Sequence, residues 1–95
     1  MGKPGMPGGQ LREILQQRLL THVYQPIVDL NGRSILGYEA LMRGPADSGL
    51  RGPDALLAVA RGSGLMLELE LASCAMAVER FAKLGLPGKL FVNAS

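Results

Sequence analysis

The chain has 95 residues, of which 47% are hydrophobic, and a formal net charge of +2. This length allows one domain or part of one, and the apolar content excludes a chain that is disordered throughout. The basic residues are scattered and the chain has only two Tyr, two Phe and no Trp, so we expect no nucleic-acid polymer as a partner. No stretch approaches the ~18 apolar residues of a membrane span. We therefore expect a cytoplasmic protein with no membrane contact in this segment.

The pattern of apolar residues and of glycine and proline predicts six elements. Residues 1–9 are rich in Gly and Pro, which predicts a flexible linker followed by a domain over residues 10–95. The elements in chain order are a helix over 10–20, strands over 23–30 and 34–42, helices over 53–61 and 65–84, and a strand over 90–94. Pro53 suits the first turn of a helix, and Gly85 suits the end of one.

The longest predicted helix carries an apolar set that we assign to its buried face. This set consists of Leu67, Leu71, Cys74, Ala75, Val78, Phe81 and Ala82. Cys74 is the only cysteine, so an internal disulfide is excluded and a small buried side chain in a reducing compartment is expected. Glu68 and Glu70 stand two positions apart on this helix and do not face each other, so we expect both to be solvated. His22, a lone imidazole, is expected at the surface or at a strand edge.

The two predicted strands of the hairpin are largely apolar. The exceptions are three polar side chains on one face, those of Gln25, Glu39 and Arg43. Residues two and four positions apart share a strand face, so Glu39, Leu41 and Arg43 point the same way. A carboxylate near a guanidinium suits a site for a metal ion and a phosphate, because the acid can hold a hard cation and the Arg can bind phosphate oxygens. The alternative, from spacing alone, is an ion pair at the end of a strand.

Three short phrases stand out in the chain. They are Tyr24-Gln25-Pro26-Ile27-Val28, Tyr38-Glu39-Ala40-Leu41-Met42-Arg43 and Phe91-Val92-Asn93-Ala94-Ser95. In this order they resemble the opening of an EAL domain, the bacterial module that hydrolyses cyclic di-GMP. The resemblance runs from about Leu11 to Ser95. The family usually has Ala-Glu at the end of the first barrel helix, and this chain has Ala60-Arg61 there.

The resemblance implies roles for five residues. Glu39 and Asn93 match two ligands of a divalent metal, Mg²⁺ or Mn²⁺. Gln25, Leu41 and Arg43 match the part of the family that contacts the substrate, with Arg43 at its phosphate. The other acidic ligands, an Asp-Asp pair and a catalytic Lys of the family lie on later strands, and none of them is found in these 95 residues.

The fold that the resemblance implies is α/β, the N-terminal part of a TIM-type (β/α)₈ barrel whose first strand runs antiparallel to the others. The implied function is metal-dependent hydrolysis of cyclic di-GMP to the linear dinucleotide in bacterial signalling. The alternative is a degenerate EAL domain that senses cyclic di-GMP or docks a protein without hydrolysis. A structural or interaction piece with no ligand is the description that best fits the isolated 95 residues.

Two expectations concern the isolated chain. Glu39 and Asn93 are too few ligands to hold Mg²⁺ or Mn²⁺ tightly, so we expect no turnover of cyclic di-GMP. An open piece of barrel also leaves strand edges unpaired, which favours self-association or a homo-oligomer.

The turn between the first two strands decides whether the site can exist. A two-residue turn at Asn31-Gly32 would place Gln25 and Glu39 on opposite faces of the sheet. The proposed site requires both on one face. We therefore predict a three-residue loop over 30–32 with Gly32 in the left-handed region, a bulge, and Asp29 opposite Arg33.

Overall fold

The predicted order of helices and strands is confirmed by a computed structural model, which describes residues 7–92 and the side chains from residue 8 onward. The elements are α1 (Pro7–Gln16), β1 (Thr21–Val28), β2 (Ile35–Arg43), α2 (Pro53–Ser63), α3 (Met66–Leu84) and β3 (Lys89–Val92). Helix α1 begins earlier than predicted, so the last residues of the Gly/Pro-rich segment are helical. None of the described helices is long and apolar enough to cross a membrane.

Helix α1 also ends earlier than its apolar periodicity suggests. Arg18 has a φ of 57°, in the left-handed region, and it reverses the chain after the last turn. The amide of Leu19 donates to the carbonyl of Ile14 at 2.9 Å, and that of Arg18 donates to Leu15 at 3.3 Å. These bonds form a Schellman C-cap, here with an arginine in the place usually taken by glycine. Leu20, beyond the cap, is fully buried outside the helix.

The hairpin loop is one residue longer than predicted. The amide of Asp29 donates to the carbonyl of Ser34 at 3.1 Å, which leaves four residues between them. Asp29 holds this loop together, because its carboxylate accepts from the amides of Asn31 and Arg33 and from the Ser34 hydroxyl. Gly32 has the predicted positive φ, 65°. Asp29 therefore lies opposite Ser34 rather than Arg33, since its side chain favours the wider turn.

The three strands form one sheet in the order β1-β2-β3. Strand β1 pairs antiparallel with β2, as the hairpin requires. Strand β3 pairs with β2 in parallel. Parallel neighbours need a long crossover connection, and helices α2 and α3 form it here. The sheet is therefore mixed, with an antiparallel first strand.

The hydrophobic core lies mainly among the three helices and the segments that connect them to the sheet. Its buried members are Leu11, Ile14, Leu20, Leu50, Leu56, Ala60, Leu65, Leu69 and Met76. The sheet contributes the buried Ala40 and the half-buried Met42, which packs against this cluster. The core thus holds the helices together on one side of the sheet.

The buried side of α3 is not the one that the sequence predicts. Leu69, Ser73, Met76 and Ala77 are buried, whereas Leu67, Leu71, Cys74 and Val78 are exposed. At about 100° per residue these two sets lie on opposite sides of the helix. The prediction that Cys74 is buried is wrong, because the true core stripe contains a serine and was therefore not recognised as the apolar one.

Candidate functional site

The register of the hairpin brings the predicted site residues onto one face of the sheet. Gln25 lies directly opposite Glu39, and Thr21 lies opposite Arg43. Opposed residues share a face, as do residues two positions apart on one strand. Gln25, Glu39, Leu41 and Arg43 therefore share a face. A bulge between Ile27 and Val28 corrects the register that the four-residue loop would otherwise give.

We call this side of the sheet the open face, because its apolar members remain largely accessible. It comprises Thr21, Val23, Gln25, Ile27, Gly37, Glu39, Leu41, Arg43, Lys89 and Phe91. Val23 is 47% exposed and Phe91 is 46% exposed. Gly37 is buried under the Phe91 ring, where a Cβ would approach that ring to 2.9 Å and press on the Lys89 carbonyl. The glycine therefore lets β3 and its aromatic ring lie close against β2.

A cavity of about 160 Å³ opens at the carboxyl end of β2. It is lined by Ala40, Leu41, Met42, Arg43, Pro53, Leu57, Leu69, Glu70, Ser73 and Val92. Two ionisable side chains of opposite charge, Arg43 and Glu70, stand in a wall that is otherwise mostly apolar. The cavity thus offers a cation and an anion beside apolar surface, which is the usual composition of a small-molecule site.

Arg43 is positioned at this cavity by the strand end and by the loop that follows. Its Nη1 donates to the Met42 carbonyl at 2.8 Å. The next residue, Gly44, exchanges hydrogen bonds with Arg51, whose carbonyl oxygen accepts from the Gly44 amide and whose guanidinium donates to the Gly44 carbonyl. These bonds close the loop tightly behind Arg43. A guanidinium with further donors beyond the Met42 bond can bind a phosphate oxygen.

The opposite side, which we call the helix face, comprises His22, Tyr24, Pro26, Tyr38, Ala40, Met42, Leu90 and Val92. Tyr24 donates through its hydroxyl to the Ala77 carbonyl at 2.9 Å, and burial raises the pKa of this phenol. Nε2 of His22 lies 2.9 Å from Oγ of Ser73. Burial, and then the nearby Arg80, lower the pKa of His22. The polar groups of this face thus bind α3.

The open face offers oxygen donors for a hard cation, although few of them. Glu39 supplies a carboxylate, and the Gln25 amide stands opposite it. Asn93, the second predicted metal ligand, lies outside the described residues. No group of three or more His, Cys, Asp or Glu side chains able to hold a metal converges within residues 7–92. These donors suit Mg²⁺ or Mn²⁺ in kind, and a complete site needs further ligands.

Two residues of the cavity region were not anticipated from the sequence. Glu70 was expected to be solvated, yet it is half-buried and lines the cavity with Arg43. Ser73 lines the same wall and binds His22. The sequence carries a weak signal for both, since Glu70 and Ser73 interrupt the apolar stripe of α3 one helical turn apart.

A comparison with known families decides where this arrangement belongs. The family model of the EAL domain matches residues 9–95. The chain belongs to the EAL domain family. EAL domains have a TIM-barrel-like fold and, at the level of the family, are cyclic di-GMP phosphodiesterases that generally depend on a metal. No curated protein is similar enough to the chain to count as a match.

Membership of the EAL family agrees with the architecture of the chain. The described part of this EAL chain is an α/β unit with three strands and three helices. The Glu-Ala-Leu tripeptide itself occupies residues 39–41 in the middle strand, β2. The alternation of that strand places Glu39 and Leu41 on the open face and Ala40, buried, on the helix face.

Proposed function

We propose that this chain forms the first wall of a cyclic di-GMP site, as the N-terminal part of a TIM-type barrel with an antiparallel first strand. The observation that carries the proposal is the register that sets Gln25 opposite Glu39, with Leu41 and Arg43 on the same face. Sites of such barrels form at the carboxyl ends of the strands. Strand β1 begins at this end because it runs antiparallel.

The chemistry of each side chain matches one part of a cyclic dinucleotide. The guanidinium of Arg43 binds a phosphate oxygen through its planar donors. The Glu39 carboxylate is suited to a divalent cation, which when bound activates water and neutralises the phosphate. The Gln25 amide, opposite Glu39, is suited to a polar group of the substrate. Leu41 supplies apolar surface for a base or ribose.

Glu70 gives the cavity a means of selecting guanine. A guanine edge presents an N1–H and an exocyclic amino group, and a carboxylate accepts from two such donors at once. Adenine lacks this pair of donors. We therefore assign Glu70 to the recognition of one guanine base beside Arg43, with the apolar wall against its ring.

Binding and turnover separate the enzyme from a sensor. We expect the chain to bind cyclic di-GMP weakly in MgCl₂ by calorimetry and to release no linear dinucleotide, since the described residues hold few metal ligands. Metal-dependent hydrolysis by this chain would show that the ligand set is sufficient. Binding by a longer chain that includes the later strands, still without hydrolysis, would favour the sensor.

Charge variants test the assignment directly. Arg43→Ala should weaken cyclic di-GMP binding by about tenfold or more, the loss expected for a charge-assisted hydrogen bond. Arg33→Ala is the matched control, because Arg33 lies exposed in the hairpin loop, at the far end of the strands. Equal affinity in both variants, or no binding by the unsubstituted chain at millimolar concentration, would contradict the site.

The role of Glu70 has its own test. Glu70→Gln should reduce the preference for cyclic di-GMP over cyclic di-AMP, while Glu68→Gln on the exposed side of α3 should leave it unchanged. An unaltered preference in Glu70→Gln would remove this residue from base recognition.

Hydrolysis by a completed domain should be abolished by Glu39→Ala, and unchanged turnover would remove Glu39 from the metal site.

A further inference from the structure

Helix α3 is attached to β1 by a hydrogen bond that the proposed function does not use. Nε2 of His22 lies 2.9 Å from Oγ of Ser73. Ser73 is only 8% exposed. Nδ1 of His22 is also buried, and it has no hydrogen-bond partner within the described residues. Burying a polar nitrogen without a partner costs free energy, so this ring is held in place by the rest of its contacts.

Ser73 connects this hydrogen bond to the cavity. Its side of α3 lines the cavity together with Glu70, and Arg43 stands at the end of β2 in the same wall. Glu70 precedes Ser73 by three positions, so the two side chains are neighbours on the helix surface. A contact that fixes Ser73 against β1 therefore also fixes the position of Glu70 relative to Arg43.

Few charges reach the imidazole from the elements packed against it. Strand β2 presents Met42 opposite His22, and it is uncharged. On α3, Glu79 is engaged in an ion pair with Arg18 at 2.6 Å. Arg80 remains, and its positive charge acts on the imidazole.

Two further groups complete the surroundings of the ring. The Tyr24 ring lies 6.3 Å from it, and the Tyr24 hydroxyl donates to the Ala77 carbonyl. The Arg80 guanidinium is anchored by donating to the Leu20 carbonyl at 2.7 Å. The environment thus favours a neutral imidazole, whose buried Nδ1 has no hydrogen-bond partner among the described residues.

We propose that His22 is a positioning residue whose neutral imidazole holds Ser73, and through it Glu70, in the geometry that binds the guanine base, so that acidification weakens ligand binding. The role of Glu70 in this proposal rests on the proposed function. The role of His22 in holding the cavity wall does not.

Protonation of His22 changes the free energy of its contact with Ser73. Both nitrogens of an imidazolium are donors, so protonation would place a positive charge near Arg80 on a ring whose buried Nδ1 has no hydrogen-bond partner among the described residues. The pKa of His22 is lowered by burial first and by Arg80 second, whereas a hydrogen bond to the backbone of Ser73 acts in the opposite direction. The contribution of this group to stability is therefore fully present above its ordinary pKa of 6.5 and is lost as the pH falls below that value.

His22 is the only histidine of the chain, so its NMR signals need no assignment by mutagenesis. We expect its ring protons to titrate with a midpoint below 6.5. The backbone amide of Glu70 and the guanidinium Nε–H of Arg43 should shift with the same midpoint. In His22→Gln, which stays neutral and can still bond Ser73, both shifts at that midpoint should disappear.

A second variant and an internal reference distinguish loss of the His22–Ser73 contact from misfolding of the protein. Ser73→Ala keeps the imidazole but removes the contact, so His22 should still titrate while Glu70 no longer follows it. The Glu68 amide, on the exposed side of the same helix, should not respond in either protein. A titration of His22 that leaves Glu70 and Arg43 unmoved in the unsubstituted chain would overturn the proposal.

The pH dependence of ligand affinity tests the effect of His22 on function. Affinity for cyclic di-GMP in MgCl₂ should fall by about fivefold or more between about pH 7.5 and about pH 5.5, a typical size for coupling between two sites. It should be independent of pH in His22→Gln. Equal pH dependence in both proteins would contradict the role of His22. Absence of binding at both pH values would instead contradict the proposed function, and the NMR titration would still decide the role of His22.

Discussion

The helix face and the open face of the sheet are made from alternate residues of the same two strands, yet they use their polar groups in different ways. On the helix face, His22 bonds to Ser73 and Tyr24 bonds to the Ala77 carbonyl. Polar groups there attach α3 to the sheet. On the open face, Gln25 makes no hydrogen bond with the described residues, and it stands opposite Glu39.

This difference assigns the attachment of α3 to the helix face and the proposed contacts with the phosphate and the metal to the open face. A polar side chain between a helix and a sheet must be satisfied locally, because burial without a partner costs about 1–3 kcal/mol. An accessible face carries no such requirement, so a polar side chain there, such as that of Gln25, can remain suited to a ligand. Substitutions of the polar groups on the open face should therefore weaken ligand binding and leave the free energy of unfolding largely unchanged, whereas substitutions on the helix face should lower that free energy.

The largest expected effect is the loss of core packing behind the helix face. Leu69 is fully buried on α3, and Leu69→Ala should lower the free energy of unfolding by about 2–5 kcal/mol, the usual cost of such a cavity. Leu71→Ala removes the same atoms from the exposed side of the same helix, where Leu71 is 62% exposed. It should cost less than about 0.5 kcal/mol.

Urea denaturation followed by circular dichroism measures both variants. A larger loss in Leu71→Ala than in Leu69→Ala would mean that α3 buries the apolar stripe predicted from the sequence, and that the two sides of the helix are the reverse of those in the structure.

A smaller loss is expected where β3 meets the middle strand. Gly37→Ala brings a Cβ against the Lys89 carbonyl and within 2.9 Å of the Phe91 ring, so β3 must move. Overpacking of this kind costs about 1–3 kcal/mol. Gly49→Ala is the control, because nothing lies within 4 Å of the position that its Cβ would take and its φ is not positive. A Gly37→Ala protein as stable as Gly49→Ala would show that β3 is not held close to β2.

The sequence predicted the order of the elements because turn residues and apolar periodicity are local signals. Pro53 does begin a helix, and α3 does end before Gly85. The shared face of Gln25 and Glu39 was also predicted, from the requirement of the site rather than from the turn. The actual loop is longer, because the Asp29 carboxylate binds three groups of the turn.

What the sequence did not reveal depends on contacts between distant elements. The buried side of α3 is set by packing against the other helices, and its Ser73 has a hydrogen-bond partner there because His22 lies across from it on β1. Glu70 belongs to the cavity for the same reason. Periodicity along one helix carries no information about which of two apolar stripes meets the sheet.

Two exposed apolar surfaces could mediate self-association, the open face of the sheet and the exposed side of α3, and substitutions on each distinguish them. We expect association at micromolar concentration through the open face and its strand edges. Val23→Lys on this face should shift the sedimentation profile toward the monomer. Val78→Lys on the exposed side of α3, where Val78 is 51% exposed, should not. The reverse result would assign the association to α3, and a monomeric unsubstituted chain would contradict the expectation.

The smallest expected effect is the loss of a single hydrogen bond on the helix face. Tyr24→Phe removes the bond to the Ala77 carbonyl and should cost about 0.5–1.5 kcal/mol, because the carbonyl loses a partner while the ring contacts with Phe81 remain. Tyr38→Phe is the matched control, since Tyr38 also contacts Phe81 and its hydroxyl has no hydrogen bond with the described residues.

The pH dependence gives this last prediction a second readout. Burial raises the pKa of Tyr24 above 10.0, so the folded state favours the neutral phenol and loses stability as the pH rises past that value. This loss should be smaller in Tyr24→Phe and unchanged in Tyr38→Phe. Equal stability and equal alkaline behaviour in the two variants would mean that the Tyr24 hydroxyl does not hold α3 to the sheet, and that His22 and Arg80 carry the polar attachment of the helix.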